Sequence, residues 1–190
     1  LEYEYLIYNK QAPERDFLVD FNVRLVNMAP QMANQTLIGI DWSNVSYQNE
    51  KGFQNENMYT TLAYRFPGES SIEELGMSDG AKSKSVSTAV NWVAFKQQFF
   101  SSVMIAPENF SYADMKFTTA EKGSGYIKDF SAKLTVPYTA QTDHYNFAFY
   151  FGPNKYAILK HVATTEGDDE LHLERLIPLG WGIFGWVNRW

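Results

Sequence analysis

The chain predicts a mainly β fold: an antiparallel sandwich with short helices toward its C-terminal end. Three observations carry that expectation. Apolar and polar residues alternate in several separate stretches, the period of a strand with one dry and one wet face. Short polar links rich in Gly, Asn, Asp and Pro fall between those stretches, as antiparallel neighbours require. Aromatic residues make up 16% of the chain, with 14 Phe and 12 Tyr, which favours strands over helices. A length of 190 residues suits one domain with a substantial core.

Taken in order, Leu1 to Ile7 already alternates like a strand, with no lead-in, so the chain reads as a piece of something larger. Phe17, Val19, Phe21, Val23 and Leu25 alternate with Asp20, Asn22 and Arg24. Ile38, Ile40 and Trp42 alternate with Gly39 and Asp41. Met58 to Phe66 repeats the pattern through Leu62 and Tyr64. Asn91 to Ile105 contains two strand-like stretches with less clean patterning. Phe130, Ala132, Leu134 and Val136 make another strand, and Tyr145, Phe147, Phe149 and Phe151 the most aromatic one. Turns are expected at Asn49 to Gly52, Pro67 to Glu69, Ser78 to Gly80 and Glu121 to Gly125. Ser70 to Lys84 is polar and reads as a long surface loop with one short helical turn. Gly152-Pro153-Asn154 stops the last strand. Lys155 to Val162 then spaces Tyr156, Ile158, Leu159 and Val162 as a short amphipathic helix, with Pro153 near its first turn. Thr164 to Glu170 is an acidic loop. The expected organisation is a sandwich domain over residues 1–165 and an acidic hinge with an amphipathic helix over 166–190.

Net charge is −6, and no basic stripe interrupts it, which argues against nucleic acid as a partner. The acidic body is repelled by anionic headgroups, so membrane contact has to be local and apolar. The absence of Cys removes disulfides, thiolate metal sites and Cys nucleophiles. No signal peptide opens the chain, and no apolar run reaches the ~18 residues of a spanning helix.

The last residues read "IPLGWGIFGWVNRW". Leu176 to Asn188 carries no charge. Wound at ~3.6 residues per turn, Ile183, Phe184, Trp186, Val187 and Trp190 share one face, with Trp181 near its edge. Gly182, Gly185, Asn188 and Arg189 take the other. Tryptophan favours the headgroup level because its ring is apolar and its N–H wants a partner, and Arg189 can reach outward to water or phosphate. Three readings stay open: a helix folded back on its own sheet, a helix at a lipid interface, and a helix docked on another protein.

Three segments carry a family resemblance. "NWVAFKQQFFSSVMIAP", Asn91 to Pro107, resembles a stretch of the large periplasmic domain of the YidC/Oxa family of membrane protein insertases, through Trp92, Gln97, Gln98 and Phe99. "FYFGPNKYAIL", Phe149 to Leu159, resembles the family's aromatic-x-Gly-Pro-Lys corner through Gly152, Pro153 and Lys155, with Asn154 intervening. "LHLERLIPLGWGIFGWVNRW" resembles the family's Trp-rich approach to its second membrane span. The segments cover about a quarter of the chain, in the family's order.

The resemblance implies a twisted β-supersandwich, similar in outline to sugar mutarotases, with C-terminal helices. It implies a chain that lacks the first part of the family's domain and all its membrane spans. It further implies a non-catalytic accessory domain, at the periplasmic face of the bacterial inner membrane, of a multi-pass insertase that assists insertion and folding of inner-membrane proteins. The implied partners are the bilayer interface, met through Trp181, Ile183, Phe184, Trp186, Val187, Arg189 and Trp190, the Sec translocon's accessory subunits, and nascent membrane proteins.

Chemistry-bearing patterns are sparse. His144, His161 and His172 have no metal-ligand spacing. Glu166, Asp168, Asp169 and Glu170 lack EF-hand order and read as a solvated hinge. Glu2 and Glu4 fall on one strand's wet face. No phosphate loop or nucleophile elbow is present, and Gly123-Ser124-Gly125 reads as a hairpin turn. No cofactor, metal or catalytic residue is therefore expected. The alternative reading is a carbohydrate-binding or mutarotase-like sandwich, whose polar groups would converge over aromatic platforms; His144, Trp92 and Trp42 are the residues such a site would use.

Overall fold

A computed structural model describes residues 1–8, 15–75, 79–162 and 171–178. The expected acidic hinge at 166–170 lies outside the described residues, as do the terminal residues Trp181, Ile183, Phe184, Trp186, Val187, Arg189 and Trp190.

Eleven strands are formed among the described residues: β1 (Glu2–Ile7), β2 (Leu18–Arg24), β3 (Leu37–Tyr47), β4 (Thr61–Arg65), β5 (Glu73–Glu74), β6 (Ala81–Val86), β7 (Val90–Lys96), β8 (Phe100–Phe110), β9 (Tyr112–Thr119), β10 (Tyr126–Pro137) and β11 (His144–Pro153). They make two antiparallel sheets. The larger has the order β1-β2-β11-β8-β7-β4-β5, and the smaller β3-β10-β9-β6. Short helices α1 (Ala29–Met32), α2 (Phe53–Tyr59) and α3 (Tyr156–Leu159), with a 3₁₀ turn at Leu173–Leu176, complete the described chain.

The main core lies between the sheets. Phe117 from β9 and Phe130, Ala132 and Leu134 from β10 meet Tyr64 from β4, Val93 and Phe95 from β7, Met104 from β8 and Phe147 from β11. A second core covers the other face of the larger sheet. There Ala63, Trp92, Ala94, Val103, Ile105 and Tyr150 are packed by Leu159, Val162, Leu171, Leu173 and Leu176. The result is three layers: small sheet, large sheet, and a C-terminal flap made of α3 and the 3₁₀ turn.

This layering explains where the alternation of the sequence is faint. Every residue of β7 is buried, because Val93 and Phe95 enter the core between the sheets while Trp92 and Ala94 enter the outer one. A strand covered on both faces reads as a continuous apolar run. The flap also takes in Leu171 and Leu176, both nearly inaccessible, so the body of the domain extends beyond the acidic loop.

The expected loop at Ser70 to Lys84 instead contributes two edge strands. β5 caps the large sheet against Ala63 and Tyr64, and β6 pairs with β9 at the edge of the small one. All of β6 except Val86 is exposed, so its polar sequence resembles a loop although its backbone is paired. Met58 belongs to α2, not to the strand that follows. That strand begins only at Thr61, after Thr60 closes the helix by donating its N–H to Glu56 and its hydroxyl to the same carbonyl. The helix after Pro153 is one turn long, and Pro153 itself pairs with Phe100 as the last residue of β11. At this position the missing N–H costs no ladder bond.

β1 is exposed along its length and is held by its ladder to β2 and by a buried knot at its end. Arg15 forms an ion pair with Asp20 at 2.5 Å, its guanidinium lies 3.9 Å over the Tyr8 ring, and Tyr8 Oη donates to Asp20.

Candidate functional site

Two features stand out as places where this fold could act: the corner where the resembling segments meet, and a cleft between the sheets.

At the corner, β7 turns into β8 through Gln97, Gln98 and Phe99, beside the end of β11. Asn154 joins them. Its side-chain amide donates to the Gln97 and Gln98 carbonyls at 2.7 and 3.3 Å, and its Oδ1 accepts from Ser101 at 2.6 Å. Its backbone N–H donates to Phe99 at 2.7 Å. The residue that breaks the spacing in the sequence is thus the one that binds the two segments together. Only the long-range pairing reveals this, since an Asn after Gly-Pro reads locally as a turn residue.

Gly152 has a separate reason to be glycine. A Cβ there would lie 2.5 Å from the Cζ and Oη of Tyr150 and 2.8 Å from the Cβ of Phe17. The Tyr150 ring folds under the glycine, its hydroxyl donates to the Pro153 carbonyl at 2.8 Å, and burial pushes its pKa well above the ordinary tyrosine value.

The third segment is attached through Trp92, which is completely buried. Its indole Nε1–H donates to the Leu171 carbonyl at 2.7 Å. Trp92 therefore pins the flap just before the chain enters its tryptophan-rich end. Of the residues named for the family resemblance, Gln97, Gln98, Phe99, Gly152 and Pro153 come together at one corner. Lys155 follows it, exposed, and Trp92 acts on the outer face of the same sheet.

The cleft has a volume of about 440 Å³ and opens where β1 and β2 diverge from β3. Tyr3, Tyr5, Phe21, Phe147, Phe149 and Trp42 line it, with Met28 and Met32 at α1. The rings are packed on one another: Tyr5 stacks on Phe21 at 4.8 Å, and Trp42 stacks on Phe95 at 4.0 Å. Asp41 is the one charged side chain of its described lining.

The three residues that a carbohydrate site would use are not brought together. Trp42 lines the cleft. Trp92 is sealed behind the large sheet. His144 is exposed at the start of β11, with Nδ1 2.7 Å from Asp143, a contact that lowers the Asp143 pKa. Among the described residues no group of three or more His, Asp or Glu could hold a metal ion. No described helix is long and apolar enough to cross a membrane.

The described residues thus form a two-sheet antiparallel sandwich with an aromatic cleft between its sheets and a flap on the outer face of the larger one. The chain belongs to the YidC periplasmic domain family, whose model matches residues 12–190. It is 39% identical over 92% of its length to the membrane protein insertase YidC of Bacteroides fragilis. It is 38% identical over 92% to that of Phocaeicola vulgatus, and 32% identical over 83% to that of Porphyromonas gingivalis. The chain spans 28% of the first two relatives and 25% of the third. The family reached from three short segments is the one whose model matches residues 12–190.

Proposed function

We propose that this chain is the accessory periplasmic domain of a membrane protein insertase. In this reading it sits at the periplasmic face of a bacterial inner membrane, within a multi-pass protein. It assists insertion and folding of inner-membrane proteins, alone or beside the Sec translocon and its accessory subunits, and performs no chemistry of its own. The family match over residues 12–190 carries the reading, and the relatives' shared name, membrane protein insertase, supports it.

Two physical features are consistent with that role. The aromatic cleft offers a nascent apolar segment partial shelter from water, since apolar surface moved out of water gains roughly 25 cal/mol per Å². The flap, anchored by Trp92, delivers the chain to the apolar segment that begins near Pro178. In this reading Trp181, Ile183, Phe184, Trp186, Val187 and Trp190 meet the bilayer interface, with Arg189 reaching the headgroups.

Flotation with vesicles of phosphatidylethanolamine and phosphatidylglycerol tests the membrane contact. The 190-residue chain is expected to float, and a chain ending at Pro178 to float much less while unfolding at the same temperature. Equal flotation of the two would remove the terminal segment from the membrane contact.

A further inference from the structure

One end of the sandwich carries three phenylalanine rings that its packing leaves about half in water. Phe99 sits in the turn between β7 and β8, Phe100 opens β8, and Phe151 lies near the end of β11. They are 54%, 59% and 49% exposed. Phe151 pairs with Ser102 and Phe100 with Pro153, so Phe100 and Phe151 stand on one face at diagonal positions, within reach of one another.

The backbone beneath them is fixed without their help. Asn154 holds the Gln97, Gln98 and Phe99 carbonyls, and Gln97 N–H donates to Phe100 at 2.8 Å. A turn satisfied in this way would keep its shape with small polar residues at positions 99 and 100. The rings therefore need another explanation.

The net charge of the whole chain is −6, and across the fold the Asn49 side chain, followed in sequence by Glu50 and Lys51, donates to Gln97 at 3.5 Å. Within four residues of these rings along the chain, the charged side chains are Lys96 and Lys155. Lys96 is neutralised by Glu74 at 3.0 Å, and Lys155 is exposed. Lys160 follows, 5.9 Å from the Tyr156 ring. Asp16 lies further round, before Phe17, whose carbonyl accepts from Phe151. Three half-exposed rings at a turn and a corner fall well short of the roughly 800 Å² per partner that a stable protein interface takes. They suit a surface that accepts small apolar wedges beside an exposed cation, which is an anionic bilayer.

We propose that this end of the sandwich is a second lipid-contact surface, in which Phe99, Phe100 and Phe151 enter the boundary between headgroups and acyl chains and Lys155 meets lipid phosphate. The proposal rests on the membrane-proximal role given above and adds an orientation: the β7–β8 turn points at the bilayer. The ring of Phe151 stacks on Phe149 at 5.4 Å, and Phe149 lines the cleft. One aromatic row therefore runs from the proposed lipid surface into the cleft.

The chain contains no Cys, so a single introduced thiol can be labelled uniquely. An environment-sensitive dye is placed on Phe99→Cys in the 190-residue chain. A control carries it on Gln141→Cys, in the exposed turn between β10 and β11 at the opposite end. With vesicles of phosphatidylethanolamine and phosphatidylglycerol, the dye at 99 is expected to shift to the blue and to be quenched by headgroup-depth nitroxide lipids, and the dye at 141 to stay in water. In the unlabelled chain, Phe100→Ser with Phe151→Ser is expected to weaken vesicle binding by about tenfold or more at an unchanged urea midpoint.

A chain that floats while its dye at 99 stays in water overturns this proposal and leaves the terminal membrane contact standing. A chain that does not float at all overturns both. A dye that responds to an added soluble apolar peptide but not to vesicles overturns the lipid assignment in favour of protein docking.

Discussion

Gly152 and Lys128 show how single residues are constrained by contacts that the local sequence does not display. Gly152→Ala forces a methyl group into the Tyr150 ring and the Phe17 side chain, and both are held in place, Tyr150 by its bond to Pro153 and Phe17 by its backbone bond to Phe151. Overpacking of this kind costs about 1–3 kcal/mol, which urea unfolding of the variant should show as a lower midpoint at an unchanged slope.

Lys128 is the other case. Period-two alternation puts it on the core face of β10 with Phe130 and Ala132, after a bulge between Tyr126 and Lys128. It is fully buried, donates to the carbonyls of Asn57 and Thr60 at the end of α2 at 3.0 and 2.5 Å, and lies 4.6 Å from the Phe117 ring. Asp79, which is hydrogen-bonded to Asn57, opposes part of the burial effect. Burial nevertheless pushes the amine from 10.5 down to about 8.

The sign of the resulting pH dependence follows from the two values. Between about pH 8 and 10.5 the unfolded chain holds a proton that the folded chain has released, so this group makes the fold more stable as pH rises through that window. The contribution is complete above the window and lost below it, and it amounts to roughly 3 kcal/mol at most. Tyr64, Tyr145 and Tyr150 act in the opposite sense. Their pKa values are raised by burial, so their stabilisation holds below pH 10 and is lost above it. Urea midpoints measured from neutral pH to pH 10 should rise in the native chain and be nearly flat in Lys128→Met.

At the scale of elements, the flap depends on one indole. Trp92→Phe leaves the buried Leu171 carbonyl without its donor and opens space behind β7. Together these effects cost about 2–4 kcal/mol. Amide hydrogen exchange over Leu171 to Leu176 should speed up well before that of β7 and β8, because the flap is joined to the sheet by side chains rather than by a ladder. Faster exchange spread uniformly over the domain would contradict a local role for Trp92.

The elements also show what a sequence displays and what it hides. β2, β3 and β11 were legible because one face of each is wet, or opens into the cleft. β7 was blurred because both of its faces are dry, and β6 was hidden because an edge strand can expose nearly every side chain and still be fully paired on one side. The helices α1 and α2, four and seven residues long, are too short for a 3.6-residue period to register. Of the candidate site, the motif residues Trp92, Gln97, Gln98, Phe99, Gly152 and Pro153 could be named from sequence. Asn154 could not, because its partners are more than fifty residues away.

For the whole molecule, the three layers set what a truncation should do. The described core closes with Leu176, whose side chain is sealed against the large sheet, and Ile177, which packs beside it half-buried. A chain ending at Pro178 is therefore expected to unfold cooperatively with the melting temperature of the 190-residue chain. A chain ending before Leu171 should lose stability, because it strips the outer face from Trp92, Ala94 and Ile105; thermal unfolding of the two truncations measures the difference. The open cleft follows from the same architecture. Among the described residues the small sheet has four strands against seven, so it leaves part of the larger sheet's inner face uncovered, and aromatic rings line that opening.

The sequence by itself determined the fold class, the family and the absence of thiol chemistry, because alternation, short motifs and composition are local properties that need no partner to be read. The tertiary structure alone decided that Asn154 clasps two distant segments, that Leu171 to Leu176 seals the back of a sheet, and that Phe99, Phe100 and Phe151 are left about half exposed at one end of it. Those outcomes depend on which strands become neighbours, and strand pairing is a long-range choice that a strand's own period does not encode.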